Sequence, residues 1–363
     1  MRPRIRRFGP LAAAVAVMLL LSSCGEIGYY AQSIHGEAQI LARREPISKV
    51  LADPATPPAL RARLETVLVI RDFASRDLGL PDNGSYRCYA DLGRPYVLWN
   101  VVATPEFSLT PVTWCFPIAG CVSYRGYFAE KDARTFAGKL TREGDDVFLY
   151  GVSAFSTLGW FDDPVLNTFN AYSIPRLAGL IFHELAHQRL YIKGDSAFDE
   201  AFAKTVEFEG VRRYLTAHGT PAERRAYEID QRREDAFVAL VLETRGRLAA
   251  RYAAGGTPPE LRAAKTVIFN AFRADYQQLK KSWGGYPGYD AWVAGSLNNA
   301  RFASVSTYRT LVPAFRQLLR DQGGDLPSFY RAVAKIGHLS AAKRKAALVS
   351  LLREAHAATA EAD

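Results

Sequence analysis

The stretch Leu177-Ala178-Gly179-Leu180-Ile181-Phe182-His183-Glu184-Leu185-Ala186-His187 decides how the chain is read. Its apolar residues run continuously, and Pro175 sits where the first turn of a helix tolerates proline, which predicts a largely buried helix. His183 and His187 are four residues apart, so they lie on one face, one turn from each other, where both imidazoles can reach a single ion at about 2.0–2.1 Å. Glu184 is rotated off that line and can hold a water that the ion activates. The H-E-x-x-H spacing thus joins two ligands to a general base that takes the water's proton. One zinc ion is the expected cofactor, because two imidazoles and a carboxylate are its usual ligands in catalytic sites.

Working outward, such a site needs a third protein ligand. No histidine occurs between Leu190 and Gly194, whereas the next helical run, Ala197 to Glu209, carries Glu200 and Glu207. These are seven residues apart and share nearly the same helical face, so periodicity alone does not choose between them. Asp195 or Asp199 is a candidate to orient a ligand imidazole, as metal-bound histidines require. The remaining histidines, His35, His218, His338 and His356, are scattered and read as surface or capping residues.

The flanks of the motif indicate an α+β fold. From Glu26 to Leu80 the pattern is helical, with Pro58 opening a helix that carries Leu60, Leu64, Val67 and Ile70 at helical spacing. Between Ser85 and Ala154 aromatic and β-branched residues alternate with turn residues. This predicts a small sheet that includes Tyr96 to Val102 and Val147 to Tyr150, with a helix from Glu130 to Leu140 interposed. Ser153 to Thr157 is expected as an edge strand that pairs with substrate backbone. After Pro175 the chain reads as helix almost to its end, broken at the glycine pairs 255–256, 284–285 and 323–324, with capping boxes at Thr220/Glu223 and Thr257/Glu260. The expectation is a single domain, 24–363, with a helix-and-sheet part at 24–165 and a helical part carrying the metal site at 166–363.

At the N-terminus, Arg2, Arg4, Arg6 and Arg7 precede an apolar run from Leu11 to Leu21 that ends in Leu21-Ser22-Ser23-Cys24. The tetrad resembles a bacterial lipobox, which makes residues 1–23 a signal peptide and Cys24 the lipid-bearing residue. Gly25 follows in place of an aspartate that would argue for the inner membrane, so the expected location is the cell envelope, at the periplasmic face of the outer membrane. The membrane is then a partner through lipidated Cys24. In that oxidising compartment Cys115 and Cys121, separated by a Pro- and Gly-containing turn, are the expected disulfide, leaving Cys88 over; metal binding by the pair lacks a second pair of ligands nearby. Composition is that of a globular protein: 363 residues, 48% hydrophobic and 12% aromatic. The net charge of +9 is partly the N-terminal arginines and otherwise dispersed, so no nucleic-acid partner is expected. No feature addresses oligomeric state.

His183 to Gln188, followed by Asp199-Glu200-Ala201-Phe202-Ala203 and Val206-Glu207, resembles the gluzincins of the aminopeptidase N type. The resemblance implies Glu200 as third ligand and Glu207 as a supporting residue. The interval is shorter than in those enzymes, with 12 residues between His187 and Glu200, and Glu207 would restore their spacing. A wider resemblance runs through Tyr29 to Gln32, Trp114 to Cys121, Tyr124 to Phe128, Ser156 to Pro164, and Asn298 to Ala300 with Tyr308. These segments are similar to a family of predicted bacterial zinc aminopeptidases, often lipoproteins. It implies a gluzincin-like peptidase fold, a peptide substrate and hydrolysis by metal-activated water. The resemblance implies an aminopeptidase, but the Gly-x-Met-Glu-Asn motif that binds a free amino terminus in aminopeptidase N is absent, which argues against exopeptidase action and keeps endopeptidase action open. Tyr308 is the candidate donor to a developing oxyanion. The alternative reading is a metal-binding or degenerate envelope lipoprotein without hydrolytic activity, against which the intact His183, Glu184, His187 set argues.

Overall fold

Strand alternation and helical periodicity sort the chain much as the sequence indicates. The protein's structure, a computed structural model, describes residues 27–116 and 120–360, with backbone alone at 307, 308, 359 and 360. The export segment 1–23 and Cys24 lie outside the described residues. The first half contains α1 (27–42), β1 (Glu45–Pro46), α2 (Ile47–Ala52), α3 (Pro58–Arg76), β2 (Cys88–Ala90), β3 (Leu98–Pro105), β4 (Trp114–Phe116), β5 (Gly120–Val122), β6 (Arg125–Tyr127), α4 (Glu130–Arg142), β7 (Asp145–Val152) and β8 (Val165–Leu166). The second half is helical: α5 (Asn167–Asn170), α6 (Ile174–Arg189), α7 (Ser196–His218), α8 (Pro221–Ala253), α9 (Pro258–Ser282), α10 (Asp290–Ala294), α11 (Asn299–Arg309), α12 (Val312–Asp321), α13 (Leu326–Gly337) and α14 (Ala341–Ala360).

The fold is α+β, and its strands divide among three small sheets instead of joining one. The order β6-β3-β7 forms an antiparallel sheet, β1-β2-β8 a mixed one, and β4-β5 a hairpin. The Cys115–Cys121 disulfide closes that hairpin, and Cys88 is free and half-buried. In β3, Trp99, Val101 and Ala103 point to one face and pack with Tyr127 and with Ala133 and Leu140 of α4. On the opposite face Leu98 and Asn100 line a cavity shared with α6 and α7, and α11 packs against the strand. Ser153 to Thr157, expected as strand, is irregular: β7 ends at Val152. Asp163 draws this loop inward by accepting hydrogen bonds from Ser156 Oγ (3.3 Å), Thr157 N (3.2 Å) and Thr157 Oγ1 (2.8 Å), which competes with ladder pairing.

The main core lies among α3, α6, α7 and α12 to α14 around Phe182, Phe198, Phe202, Phe315 and Phe329, all with no exposed surface. Full burial of each such side chain contributes about 1.5–3 kcal/mol. A second cluster, with Phe237, Phe272 and Tyr276, joins α8 to α9. Missing side chains bring α6 and α7 together: a Cβ at Gly210 would lie 2.7 Å from the Phe182 ring, and one at Gly179 3.1 Å from Glu207 Cγ. Both capping boxes form. The three glycine pairs terminate α8, α9 and α12 in the left-handed region that other residues resist. Among the described residues no helix is long and apolar enough to cross a membrane.

Candidate metal centre

Leu177, Ala178, Ile181, Phe182, Leu185 and Ala186 seal most of α6 into the core. Leu180, His183 and Glu184, at i, i+3 and i+4, form the stripe left partly open, and His187, one turn on from His183, is buried beside it. The two imidazoles stand nearly perpendicular, 82° apart, with Nε2 atoms 3.2 Å from each other. Helix α7 is capped by Asp195, whose side chain accepts from Phe198 N, and packs against α6. Its first turns bring Glu200 Oε2 to 3.2 Å from His183 Nε2 and 3.6 Å from His187 Nε2.

These three atoms make a triangle with edges of 3.2, 3.2 and 3.6 Å. Three corners of a tetrahedron with bonds of about 2.0–2.1 Å are about 3.3 Å apart, so the donor set fits one ion with a fourth position left for water or substrate. His183, His187 and Glu200 are the metal-competent trio among the described residues.

Glu207, the other carboxylate on that face, meets the opposite nitrogen. Its Oε2 lies 3.1 Å from His183 Nδ1, while its Oε1 accepts from Lys204 Nζ at 2.6 Å. It is therefore arranged to orient the imidazole and hold its tautomer. Asp195 is committed elsewhere, as the α7 cap and in an ion pair with Arg344 Nε at 2.7 Å. Asp199 accepts from Ile192 N at 2.8 Å, and neither aspartate is seen bonded to an imidazole.

Electrostatics follow from this packing. Burial opposes ionisation of Glu200, but His187 and His183 overcome it and hold the carboxyl down at about 2. Burial likewise opposes charge on His183, yet hydrogen bonds to Glu200 and Glu207 raise it to about 10. Glu200 and Glu207 thus favour positive charge on His183, and the same pair of carboxylates would favour a bound cation. Burial raises the carboxyl of Glu184, with His183 and His187 pulling the other way, which suits a base that must both take and give a proton.

Two cavities meet at His183 and Glu184. One, of about 470 Å³, includes the whole trio and is walled by Leu98, Phe116, Phe128 and Phe155. The other, of about 770 Å³, is lined by Glu207, Glu223, Asp230 and Glu234 together with Arg176 and Lys204. A third, of about 630 Å³ beside Phe208, Arg212 and Arg316, contains none of the trio.

Sequence reasoning missed three residues here. Gln188, next to His187, accepts from Asn83 (2.8 Å) and donates to Ser85 (3.1 Å) and Asp163 (3.2 Å), which ties the end of α6 to two loops. Tyr124 and Tyr191 line the smaller cavity. Burial and the charge of Glu200 push the Tyr124 phenol far up. Burial, Asp199 and Glu200 push Tyr191 up to about 12. Gln188 and Tyr124 stood inside the segments that carried the family resemblance, but nothing in their spacing assigned a role. Tyr308 belongs to α11, and its side chain lies outside the described residues.

A family model described as "Putative aminopeptidase" matches residues 28–348, and the chain belongs to that family. Neither the curated proteins nor the solved structures yielded a match.

Proposed function

We propose that this member of the aminopeptidase family is a zinc-dependent peptidase of gluzincin type, with zinc held by His183, His187 and Glu200 and with Glu184 as general base. The observation that carries the proposal is the triangle of His183 Nε2, His187 Nε2 and Glu200 Oε2, with Glu184 beside it at the junction of two cavities. When bound, the ion would supply Lewis-acid polarisation of the peptide carbonyl and a lowered pKa for its water. Glu184 takes the water's proton and passes it to the leaving amine. Glu207, anchored by Lys204, keeps His183 turned toward the ligand position. The smaller cavity receives one side of the substrate and the larger one the other.

The proposal includes export and anchoring through Cys24 at the periplasmic face of the outer membrane of a bacterial envelope, supported by the N-terminal arginines, the apolar run and the lipobox-like tetrad. Incorporation of labelled palmitate into the parent but not into Cys24→Ala tests it.

The enzymatic part is tested on the chain from Gly25 onward, assayed for bound metal and then incubated with a mixed peptide library, with products read by mass spectrometry. Removal of single amino-terminal residues identifies an aminopeptidase, and internal cuts an endopeptidase. Glu184→Gln is expected to keep its metal and lose about 10²–10⁴-fold in rate. A metal-loaded parent that cuts nothing refutes the peptidase reading.

A further inference from the structure

The sheet β6-β3-β7 contributes the floor of the smaller cavity, and its least bulky point is glycine. Trp99, Val101 and Tyr127 face α4, so alternation turns Leu98, Asn100 and Gly126 to the other side, where all three line the cavity that holds the trio. Asn100 stands opposite Gly126 on β6 and Tyr150 on β7. Glycine within a strand gives up both packing and chain entropy, and it marks places where another group must approach closely. Gly126 has no backbone need to be glycine, since it is not among the positive-φ residues. A Cβ there would lie 3.2 Å from Asn100 Oδ1 and 3.6 Å from Leu98 Cδ1, both cavity-lining side chains, so a larger residue at 126 must take up room at the cavity floor or push these two groups further into it.

The chemistry of the walls selects an occupant. Phe116, Val122, Phe128, Phe155 and Leu158 supply apolar surface, and no lysine or arginine lines the cavity among the described residues. Its acidic residues, Glu184, Asp199 and Glu200, are gathered at the imidazoles. An acidic side chain would find no lysine or arginine partner on these walls, whereas a large apolar one would displace water from an apolar surface. The volume of about 470 Å³ falls within the range of ligand sites, about 300–1,000 Å³.

We propose that this cavity is the specificity pocket for a bulky apolar or aromatic residue adjoining the cleaved bond, and that Gly126 sets its depth. The proposal rests on the peptidase reading for its setting. A hydrophobic pocket discriminates about 10–200-fold per methylene.

The test uses peptides that differ only in the residue, Phe, Leu, Ala or Asp, on one side of the bond and then on the other. The metal-loaded parent is expected to cleave the Phe and Leu peptides at least tenfold better than the Ala peptide in kcat/KM, and the Asp peptide worst. Gly126→Val is expected to lower the Phe-to-Ala ratio at least tenfold, and Gly126→Ala, the milder change should the first impair folding, to give an intermediate ratio. A parent ratio within twofold of one at both positions, or a ratio that neither variant moves, overturns the proposal. Binding separates this outcome from failure of the peptidase reading. Inert Glu184→Gln protein that binds a labelled Phe peptide at least tenfold tighter than its Ala counterpart, with the difference lost in Glu184→Gln/Gly126→Val, upholds the pocket even if no bond is cut; equal affinities overturn it.

Discussion

Replacing either of the two glutamates on α7 should produce different losses, because they address different nitrogens of the same imidazole. Glu200 Oε2 stands with the Nε2 atoms at 3.2 and 3.6 Å, whereas Glu207 Oε2 stands 3.1 Å from Nδ1 of His183 and its other oxygen is held by Lys204. Glu207→Gln removes a charge-assisted partner that orients a ligand, and such changes weaken metal binding about 10–100-fold, or about 1.4–2.7 kcal/mol. Glu200→Gln removes a ligand and leaves two imidazoles where a catalytic site needs three protein donors, so metal should not survive gel filtration. The dissociation constants are measured by competition with a chromophoric zinc chelator at fixed pH, with circular dichroism to confirm folding. If Glu207→Gln loses its metal while Glu200→Gln keeps it, or if both lose it equally, the assignment of roles is wrong.

Three further outcomes concern the scaffold. Arg71 has no exposed surface and donates to the carbonyls of Pro81 (2.7 Å), Ser85 (2.8 Å) and Asn83 (3.1 Å); Arg71→Met leaves those of Ser85 and Asn83 unpaired at about 1–3 kcal/mol each, while Pro81 keeps Ser75 Oγ at 3.3 Å, so urea denaturation should show a loss of at least about 2 kcal/mol, and a loss under about 1 would refute the account. Glu37 of α1 is pushed up to about 7 by burial and by the charge of Asp163, against Arg44. Its unfolded value is about 4.3, so the folded state binds the proton more tightly and the group opposes folding as pH rises from about 4 to 7, and fully above. Glu37→Gln should therefore be more stable than the parent at pH 8, by about 1 kcal/mol after allowing for solvent screening of the part-exposed side chain, and equal to it at pH 4; the same difference at both pH values would contradict this. Cys115→Ser/Cys121→Ser opens the β4-β5 hairpin, and the short loop it closes predicts a loss of about 2 kcal/mol in a denaturant titration, with no change in the midpoint as the refuting result.

Local patterns accounted for much of this architecture. The four-residue interval between His183 and His187 sets both on one face of any helix they occupy, whatever surrounds it. Proline and paired glycines bounded α3, α6, α8, α9 and α12 for reasons internal to each segment, namely a missing amide donor and access to positive φ. The disulfide at Cys115 and Cys121 followed from a turn between them.

Long-range geometry decided the rest. Tyr89 pairs with Val165 in a parallel pair of strands and Leu98 with Val152 in an antiparallel one, so the division of strands among three sheets depends on partners 50 to 80 residues away that no local pattern names. Glu200 and Glu207 are equivalent along α7, since seven residues are nearly two full turns, about 10.5 Å of rise. Only the packing of α7 against α6 puts Glu200 at Nε2 of His183 and Glu207 at Nδ1. The same holds for the cavity floor, where Asn100, Gly126 and Tyr150 become neighbours through strand register alone. Sequence by itself determined which residues share a helical face, because that depends on the repeat of a single element; tertiary structure decided which of them meet, because that depends on how separate elements pack.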